Sequence, residues 1–374
     1  MKIVIAPDSF KGSLSSKEVG SYIKKGIQEI LPSAEIITLS IADGGEGTLD
    51  AICEEKDFVF DEFCRPDFNR IKAEYGVLDD TAVIEMARTA GLTLIEEKFR
   101  SCKDSTTFGV GEMIMHAYRR GIKKFLITAG GSATNDGGAG LLCALGGKFF
   151  DKDGNQFIPT GKSLIEVDKI DLSSIDKHLL SCEFTIATDV KNPLLGKFGA
   201  TNVYAKQKGS TDQDLLLMEK GMQNYALIIE NACGKKVSNI EGSGAGGGVA
   251  VPLLAFFNGK ITSGIKAILD AVNFSGIIEK ADVIVTGEGK IDSQSLFGKA
   301  ISGVCDKAKE NNIPVYCFVG GMGDKKDNLL KMGIKDIFTV IENAKDLTDA
   351  MNNASGYLYQ MAKDFAKKIK GEIL

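Results

Sequence analysis

The amino-acid sequence predicts an α/β protein of two dissimilar α/β domains, the first a doubly wound parallel sheet of the Rossmann or flavodoxin type. Near both ends of the chain, short apolar runs alternate with amphipathic helical segments, which is typical of parallel sheets whose strands are joined by helices. The middle contains hairpin signals and one long helix instead. We therefore expect a discontinuous first domain (residues 1–60 and 275–374), an inserted second domain (61–274) and an active site in the cleft between them.

The N-terminal residues predict a strand followed by a capped helix. The run KIVIAP is apolar enough for a buried strand, and the next segment has apolar residues at helical spacing. Ser15 and Glu18 have the spacing of a capping box, which satisfies free backbone amides at a helix start. The same alternation predicts strands at DVIVTG, VYCFVG and DIFTVI near the other end.

One continuous helix is predicted to close the chain. Its apolar positions recur at helical spacing and would form one buried face. These positions are Leu347, Met351, Ala354, Leu358, Met361, Phe365 and Ile369.

The middle of the chain predicts two hairpins and a long helix. The segment RIKAEYGVLDDTAVIEMA reads as two strands around an Asp79–Asp80 turn, and Asp153–Gly154 marks a second hairpin. The helix would bury one face, formed by Leu215, Met218, Met222, Tyr225 and Ile229.

Composition and charge exclude several classes of function. The 374 residues carry a formal net charge of -5, whereas nucleic-acid-binding domains are usually basic. No apolar run approaches the roughly 18 residues of a membrane span, and the chain starts with a strand pattern rather than a signal peptide. The eight scattered cysteines read as buried reduced thiols, so we expect a cytoplasmic protein. His116 and His178 have no catalytic neighbours in sequence and are interpreted as structural or surface residues.

Polar residues are interleaved with glycine in loops that follow predicted strands. In an open α/β sheet, ligands bind outside the carboxyl ends of the strands, and glycine lets backbone amides approach an anion. We therefore expect these loops to converge on one crevice, although glycine alone would also suit ordinary β–α turns. The loop residues are Asp8, Ser9 and Lys11; Asp43, Gly44, Gly45 and Glu46; Ser132, Thr134, Asn135 and Asp136; and Glu288, Lys290 and Asp292.

The glycine-rich string GSGAGG, residues 242–247, fits the dinucleotide-binding pattern only in spacing. It follows a poor strand and is not the first β–α unit, both of which weaken that interpretation. A loop that approaches phosphate or packs a helix closely fits better. No Walker A motif is present. In its nearest match, GNQFIPTGKS, position 156 is glutamine, whereas the motif requires its first glycine there.

A further loop, ATDVKNP, has the residue types that phosphoryl transfer uses. Asp189, Lys191 and Asn192 follow a predicted strand. A carboxylate can accept the nucleophile's proton, carboxylate and amide oxygens can bind Mg²⁺, and a lysine can offset phosphoryl charge. A polar strand end with a turn is the alternative.

Together, the motifs resemble those of the bacterial glycerate kinase family. They are APDSFKGSLSS, ADGGEGT, GGSATNDGGAG, ATDVKNPL, GSGAGGG and TGEGKIDSQS, and they occur in the family's order over essentially the whole chain. The resemblance implies ATP-dependent, Mg²⁺-assisted phosphorylation of D-glycerate, with 2-phosphoglycerate favoured over 3-phosphoglycerate. The sequence differs from the family's usual residues at RPDFNRIKAEYG, at YAKQKG and at Arg88. These differences affect the expected stringency for the substrate.

On the basis of this resemblance we assign roles to individual residues as hypotheses. Lys11 would neutralise an anion of glycerate or ATP, Asp189 would be the general base with Asp292 as the second choice, and Asp43 and Asp189 would hold the metal. Substrate or phosphate contacts are assigned to Asp8, Ser9, Asp43, Gly44, Gly45, Glu46, Ser132, Thr134, Asn135, Asp136, Lys191, Asn192, Glu288 and Lys290, and nucleotide contacts to Gly244, Gly246, Gly247 and Gly248.

Two other functions stay open at this point. One is an NAD(P)-dependent hydroxy-acid oxidoreductase, which depends on GSGAGG. The other is a non-catalytic sugar-acid or phosphate binding protein. Neither nucleic acid nor membrane is expected as a partner, and the oligomeric state is left open.

Overall fold

The computed structural model describes residues 1–42, 44–45, 47–291 and 300–373. Its strands are β1 (Lys2–Pro7), β2 (Glu35–Thr38), β3 (Phe58–Cys64), β4 (Arg70–Leu78), β5 (Thr81–Glu85), β6 (Lys124–Thr128), β7 (Lys148–Phe150), β8 (Gln156–Phe157), β9 (Lys169–Asp171), β10 (Glu183–Ala187), β11 (Lys260–Thr262), β12 (Val283–Ile291), β13 (Val315–Met322) and β14 (Ile334–Thr339).

The described α-helices are α1 (Ser16–Ile30), α2 (Thr48–Ile52), α3 (Ala87–Ala90), α4 (Phe108–Arg119), α5 (Ala139–Ala144), α6 (Ala200–Tyr204), α7 (Asp212–Cys233), α8 (Val251–Phe256), α9 (Gly264–Ala271), α10 (Phe274–Ile278), α11 (Ala300–Glu310), α12 (Lys326–Leu330), α13 (Leu347–Asn352) and α14 (Ala354–Ile373). Short 3₁₀ helices lie at Glu55–Asp57, Leu92–Leu94, Glu97–Phe99, Leu164–Glu166, Leu179–Ser181, Lys206–Lys208 and Ala245–Gly247. None of the described helices is both long and apolar enough to cross a membrane.

The chain groups by its internal contacts into two units. Unit 1 comprises Met1–Asp43, Asp50–Ile52 and Gly264–Leu374, and unit 2 comprises Gly44–Leu49 and Cys53–Ser263. The chain passes between the two units at residues 43–53 and 263–264, whereas the sequence predicts domain boundaries at 60 and 275. The earlier first boundary follows from β3, which pairs with β4 of unit 2 along its whole length.

Unit 1 contains the predicted parallel sheet. Its five strands have the order β2-β1-β12-β13-β14, and every neighbouring pair is parallel. When its strands are numbered along the chain, this is the 2-1-3-4-5 order of the flavodoxin-like doubly wound fold. The fold class predicted from the alternating pattern is therefore confirmed.

Helices cover the unit 1 sheet because the strands bury residues on both faces. On one face, Ile3 and Ile5 of β1 share a core with the apolar sides of α1 and α14. The alternate residues Val4 and Ala6 are also buried, as is Val304 of α11. The α1 capping box forms as predicted: Ser15 accepts a hydrogen bond from the Glu18 amide, and Glu18 accepts one from the Ser15 amide.

Unit 2 is built on a mixed six-stranded sheet with the order β11-β10-β6-β5-β4-β3. Strands β5, β6, β10 and β11 are parallel, and β3, β4 and β5 are antiparallel. The Asp79 turn joins β4 to β5, and Gly154 lies in the turn between β7 and β8. Both predicted hairpins and the long helix α7 are thus present.

The C-terminal helix is the element that the sequence predicts incorrectly. Instead of one helix, α13 ends at Asn352 and α14 begins at Ala354. The Asn353 amide donates to the Asp349 carbonyl, and the Asn353 side chain donates to the Asp349 carboxylate. Asparagine side chains that bond to nearby groups compete with helix continuation. Leu347, which the periodicity places on the apolar face of the predicted helix, is 67% exposed.

The helix break can be tested by making the same substitution on either side of it. Leu358→Ala removes a fully buried side chain and should lower the free energy of unfolding by about 2–5 kcal/mol. Leu347→Ala, the matched control, should change it by no more than about 0.5 kcal/mol. Urea unfolding followed by circular dichroism measures both. Equal losses for the two variants would contradict the break.

Candidate functional site

In unit 1, the predicted loops after β1 and at the end of β12 lie side by side. Parallel pairing puts Pro7 opposite Gly287, and the Asp8 amide donates to the Gly287 carbonyl at 2.8 Å. The sequence 8–11 therefore adjoins Glu288 and Lys290 at the carboxyl edge of the sheet. For these residues, the predicted convergence is observed.

Glycine makes this close arrangement possible. A Cβ at Gly287 would collide with the Phe318 carbonyl oxygen of β13, and one at Gly320 would collide with the Gly289 carbonyl oxygen. A Cβ at Gly289 would lie 3.3 Å from the Lys11 amide nitrogen. The loop after β1 and the ends of β12 and β13 thus pack backbone against backbone, which larger residues would prevent.

A cavity of about 540 Å³ opens at this edge of unit 1. One part of its lining is polar, with Asp8, Ser9, Lys11, Glu288 and Lys290. Lys11 and Lys290 are exposed, whereas Glu288 is only 8% exposed. The other part is apolar and comes from β13, the residues after β14, and α13. The cavity therefore joins a polar opening, with two lysines and two carboxylates, to an apolar wall.

In unit 2, a second set of predicted loops shares a sheet edge. Glu85 at the end of β5 pairs with Thr128 at the end of β6, which pairs with Ala187 at the end of β10. The loop containing Ser132 to Asp136 follows β6, and Asp189 follows β10. Both therefore begin at the same edge of the unit 2 sheet.

Lys208, which sequence reasoning missed, holds the loop that contains Ser132 through hydrogen bonds from its buried side chain. Its side chain is 4% exposed, and Nζ donates to Ser132 Oγ at 2.6 Å and to the Thr134 carbonyl at 2.8 Å. Burial lowers the pKa of Lys208 to about 8. Lys208 lies in a short polar segment without apolar periodicity. In the sequence, only the glycine that follows it in QKG indicates a special local structure.

Asp136 holds the same loop to the start of α5. Its fully buried carboxylate accepts hydrogen bonds from the Thr107 amide and hydroxyl and from the Gly138 and Gly140 amides. Burial raises the pKa of Asp136, and these hydrogen bonds oppose the rise. In this geometry, Asp136 organises the loop; its predicted contact with substrate or phosphate stays a prediction.

Thr134 and Asn135 are fully buried and also bond within unit 2. Thr134 Oγ1 donates to the Gly246 carbonyl at 3.3 Å, and Asn135 Nδ2 donates to Thr201 Oγ1 at 3.0 Å. Within the described ranges, Asn135 Oδ1 has no hydrogen-bond partner. Their predicted contacts with anionic oxygens remain predictions.

The string GSGAGGG links two of the unit 2 loops. The Gly244 amide donates to the Asn192 carbonyl, and the Gly137 amide donates to the Gly247 carbonyl. A Cβ at Gly247 or Gly248 would collide with the Ser132–Gly138 segment. Of the four predicted nucleotide-binding glycines, Gly246 is half-buried and Gly244, Gly247 and Gly248 are buried. The glycines here permit close packing, and nucleotide contact by them stays a prediction.

The loop after β10 separates its three predicted site residues. Asp189 is exposed, and Lys191 Nζ lies 3.4 Å from Glu241 in an exposed ion pair. Asn192 donates to the Phe198 carbonyl and accepts from the Tyr204 hydroxyl. The Lys191 and Asn192 side chains thus have partners within unit 2, and the Asp189 carboxylate is exposed.

Glu85 is the second residue that sequence reasoning missed. It is 1% exposed and accepts hydrogen bonds from the Gly47 and Leu49 amides. It therefore fixes the loop that contains Gly44 and Gly45. Its signal was an acid directly after the apolar run AVI, at a predicted strand end.

Three predicted residues, Asp43, Glu46 and Asp292, lie outside the described residues. Among the residues that are described, no group of three or more His, Cys, Asp or Glu side chains could hold a metal ion. His116 bonds to the Tyr75 hydroxyl and lies 3.1 Å from Asp61, in agreement with its structural interpretation.

Comparison with known proteins places these loops in a family context. Residues 3–370 match the sequence profile of the glycerate kinase family. A glycerate kinase of Bacillus subtilis (strain 168) is 38% identical over 99% of this chain and 98% of its own length. A glycerate 2-kinase of Escherichia coli (strain K12) is 37% identical over 98% and 97%. A crystal structure of a Salmonella typhimurium LT2 protein assigned as a glycerate kinase 2 has a TM-score of 0.90, with 38% identity and full coverage of both chains.

The role of Asp136 in holding its loop predicts a large stability effect. In Asp136→Asn, an amide group replaces an acceptor that faces backbone donors, so the free energy of unfolding should fall by about 1.5–3 kcal/mol. The same change at exposed Asp189 should alter it by about 0.5 kcal/mol or less. Urea unfolding of both variants measures this. Unchanged stability in Asp136→Asn would show that its hydrogen bonds contribute little.

Lys208 predicts a pH dependence of stability. Its pKa is about 8 in the folded protein against 10.5 for an ordinary lysine, so between these values the folded state releases its proton first. The free energy of unfolding should then rise with pH by up to about 1.4 kcal/mol per unit. Below that window both states are protonated, and the cost of the buried charge is complete.

Lys208→Met has no titrating group at this position. The difference in the free energy of unfolding between parent and variant therefore separates the titration of Lys208 from that of nearby Cys102 and Asp136. That difference should shift in favour of the parent between about pH 8 and about pH 10.5. Urea unfolding at a series of pH values measures it. A difference that stays constant across the window would rule out titration of Lys208 there.

Proposed function

Because this chain belongs to the glycerate kinase family, we propose that it transfers the γ-phosphoryl group of ATP to the 2-hydroxyl of D-glycerate. Family membership makes the protein a kinase, a phosphotransferase with an alcohol acceptor, and implies ATP as donor. The choice of the 2-hydroxyl is carried by the near full-length similarity to the E. coli glycerate 2-kinase.

Phosphoryl transfer requires mainly positioning and charge neutralisation. The glycerate oxygen forms a bond to the γ-phosphorus, the bond from that phosphorus to the β–γ bridging oxygen breaks, and the hydroxyl proton must be accepted. Lys11 and Lys290, exposed at the cavity opening of unit 1, are the proposed cations for the anionic oxygens. Ser9 and nearby backbone amides would add hydrogen bonds to them.

Asp189 is the proposed general base. It is exposed at the carboxyl end of a parallel strand, where substrates of α/β proteins bind. Asp136 is less suitable, because it is fully buried and its oxygens accept four hydrogen bonds from its own loop. Asp292, the second choice from sequence, lies outside the described residues.

Mg²⁺ is proposed to accompany ATP. Mg²⁺ at such sites is usually bound by one or two carboxylates together with substrate phosphates and water. Asp189, an accessible carboxylate, fits that need, and Asp43 stays a candidate outside the described residues. When bound, the ion would neutralise charge on the phosphates.

The oxidoreductase interpretation loses its main support. The segment before GSGAGG consists of turns and irregular chain rather than a strand, and the glycines pack against neighbouring loops. A Rossmann dinucleotide site needs a strand, a glycine-rich turn and a helix in succession.

Phosphorus NMR of the product tests both the reaction and its position. In 2-phosphoglycerate, phosphorus couples to the single proton on C2 and gives a doublet; in 3-phosphoglycerate, it couples to two protons and gives a triplet. We expect a doublet together with ADP, both dependent on glycerate. A triplet would contradict the 2-position, and no phosphoester signal would contradict glycerate kinase activity.

The proposed base predicts a specific kinetic loss. Asp189→Asn keeps the size of the side chain but cannot accept the proton, so kcat should fall by about 10²–10⁴-fold. Asp153→Asn is the matched control, because Asp153 is an exposed aspartate in the turn between β7 and β8, and it should leave kcat nearly unchanged. Steady-state ADP release measures both. A loss of kcat below about tenfold in Asp189→Asn would place the base elsewhere.

A further inference from the structure

We propose that the apolar part of the unit 1 cavity binds the purine base of the phosphoryl donor, with the triphosphate directed toward Lys11 and Lys290. This inference rests on the proposed function and adds to it a base-binding site. It also separates the base from Gly244–Gly248, where the sequence pattern predicted nucleotide contacts.

The cavity lies at the position in the unit 1 sheet where nucleotides usually bind. In a 2-1-3-4-5 sheet, the topological switch point lies between the first and third strands, and nucleotide-type ligands bind outside the carboxyl ends there. In unit 1 these strands are β1 and β12. The cavity is lined by Asp8–Lys11 after β1 and by Glu288–Lys290 of β12, so it lies at the switch point.

The size and the lining of the cavity suit a purine base better than glycerate. Its volume of about 540 Å³ lies within the roughly 300–1,000 Å³ of small-molecule sites. Met322, Val340, Ile341, Leu347, Ala350 and Met351 form the apolar wall. Glycerate has no apolar group large enough to need such a wall, whereas a purine ring does.

The apolar wall has side chains that the fold leaves exposed. Leu347 is 67% exposed and Met351 is 39% exposed. Both residues line the cavity. Covering them with a flat aromatic ring would remove this apolar surface from water, which favours binding.

The wall and the anion loop are joined, so the cavity is largely formed in advance. Ser13 Oγ donates to the Met351 carbonyl at 2.5 Å. A Cβ at Gly12, whose φ is +79°, would lie only 3.2 Å from Met351 Cε, so the loop passes close to the Met351 side chain. Glu288, a carboxylate with little exposure, lines the same cavity and could accept hydrogen bonds from ribose hydroxyls or an exocyclic amino group.

Gly321→Val provides a direct test by filling the apolar part of the cavity. Gly321 lines the cavity at the end of β13. A Cβ there would meet only Ile341 Cγ2, at an ordinary 3.7 Å, and its φ is not in the left-handed region. The substitution therefore adds volume without forcing the backbone. Gly356→Val is the matched control, because Gly356 is exposed on α14 and a Cβ there meets nothing within 4 Å.

Binding of the ATP analogue AMP-PNP is measured by titration calorimetry without glycerate. We expect Gly321→Val to weaken binding by at least about tenfold and Gly356→Val by less than about twofold. If Gly321→Val lowers the melting temperature strongly, Leu347→Ala serves instead, because it removes an exposed wall side chain and should weaken binding several-fold.

Unchanged AMP-PNP affinity in these cavity variants would overturn the proposal, as would a parent protein that does not bind AMP-PNP. This result is separable from the reaction test. A doublet in the phosphorus spectrum with unaltered AMP-PNP binding in Gly321→Val would place the base elsewhere and leave glycerate 2-kinase activity intact. Binding sensitive to Gly321→Val, without phosphorylated glycerate, would retain the base site and reject the acceptor.

Discussion

The close approach of three backbones at the carboxyl edge of the unit 1 sheet is the constraint on which the candidate site depends. Gly287, Gly289 and Gly320 carry no side chain at points where the loop after β1, strand β12 and strand β13 come together. This packing sets Lys11 and Lys290 at one cavity opening. A side chain at Gly287 or Gly320 would separate the strands and disperse the polar groups.

In unit 2, buried charged side chains hold a candidate site loop in place. Lys208 and Asp136 each hold the Ser132–Asp136 loop through several hydrogen bonds, and both are almost fully buried. Burying a charge is costly unless it is well bonded, and the shifted pKa values of both groups reflect that cost. The loop is thereby held in one conformation, as a site that works by positioning requires.

The sequence predicted those features that depend on periodicity and on local turn chemistry. The unit 1 strands, the Ser15 cap, both hairpins and α7 follow from patterns that a single segment contains. The break at Asn353 was missed, because the apolar spacing continues across it and only side-chain bonding to Asp349 ends the helix. Lys208 and Glu85 were missed for another reason: their roles come from loops distant in sequence.

The convergence of loops on sheet edges was predictable from the parallel topology. Which of their residues would be buried and structural, and which exposed, was not predictable. Asp136 and Asp189 are both acids in glycine-containing loops after a strand, yet one is fully buried and the other exposed. That difference depends on the packing of Thr107 and of the helix that follows Asp136. Likewise, GSGAGGG has the composition of a phosphate loop, but its glycines accommodate neighbouring backbone.

Hydrogen–deuterium exchange with and without AMP-PNP tests most directly whether the carboxyl edge of unit 1 binds the phosphoryl donor. The account predicts slower exchange in peptides covering residues 8–14 and 287–291, and no change in the hairpin at 148–157. Slower exchange confined to residues 242–248, with none at 8–14 or 287–291, would contradict it.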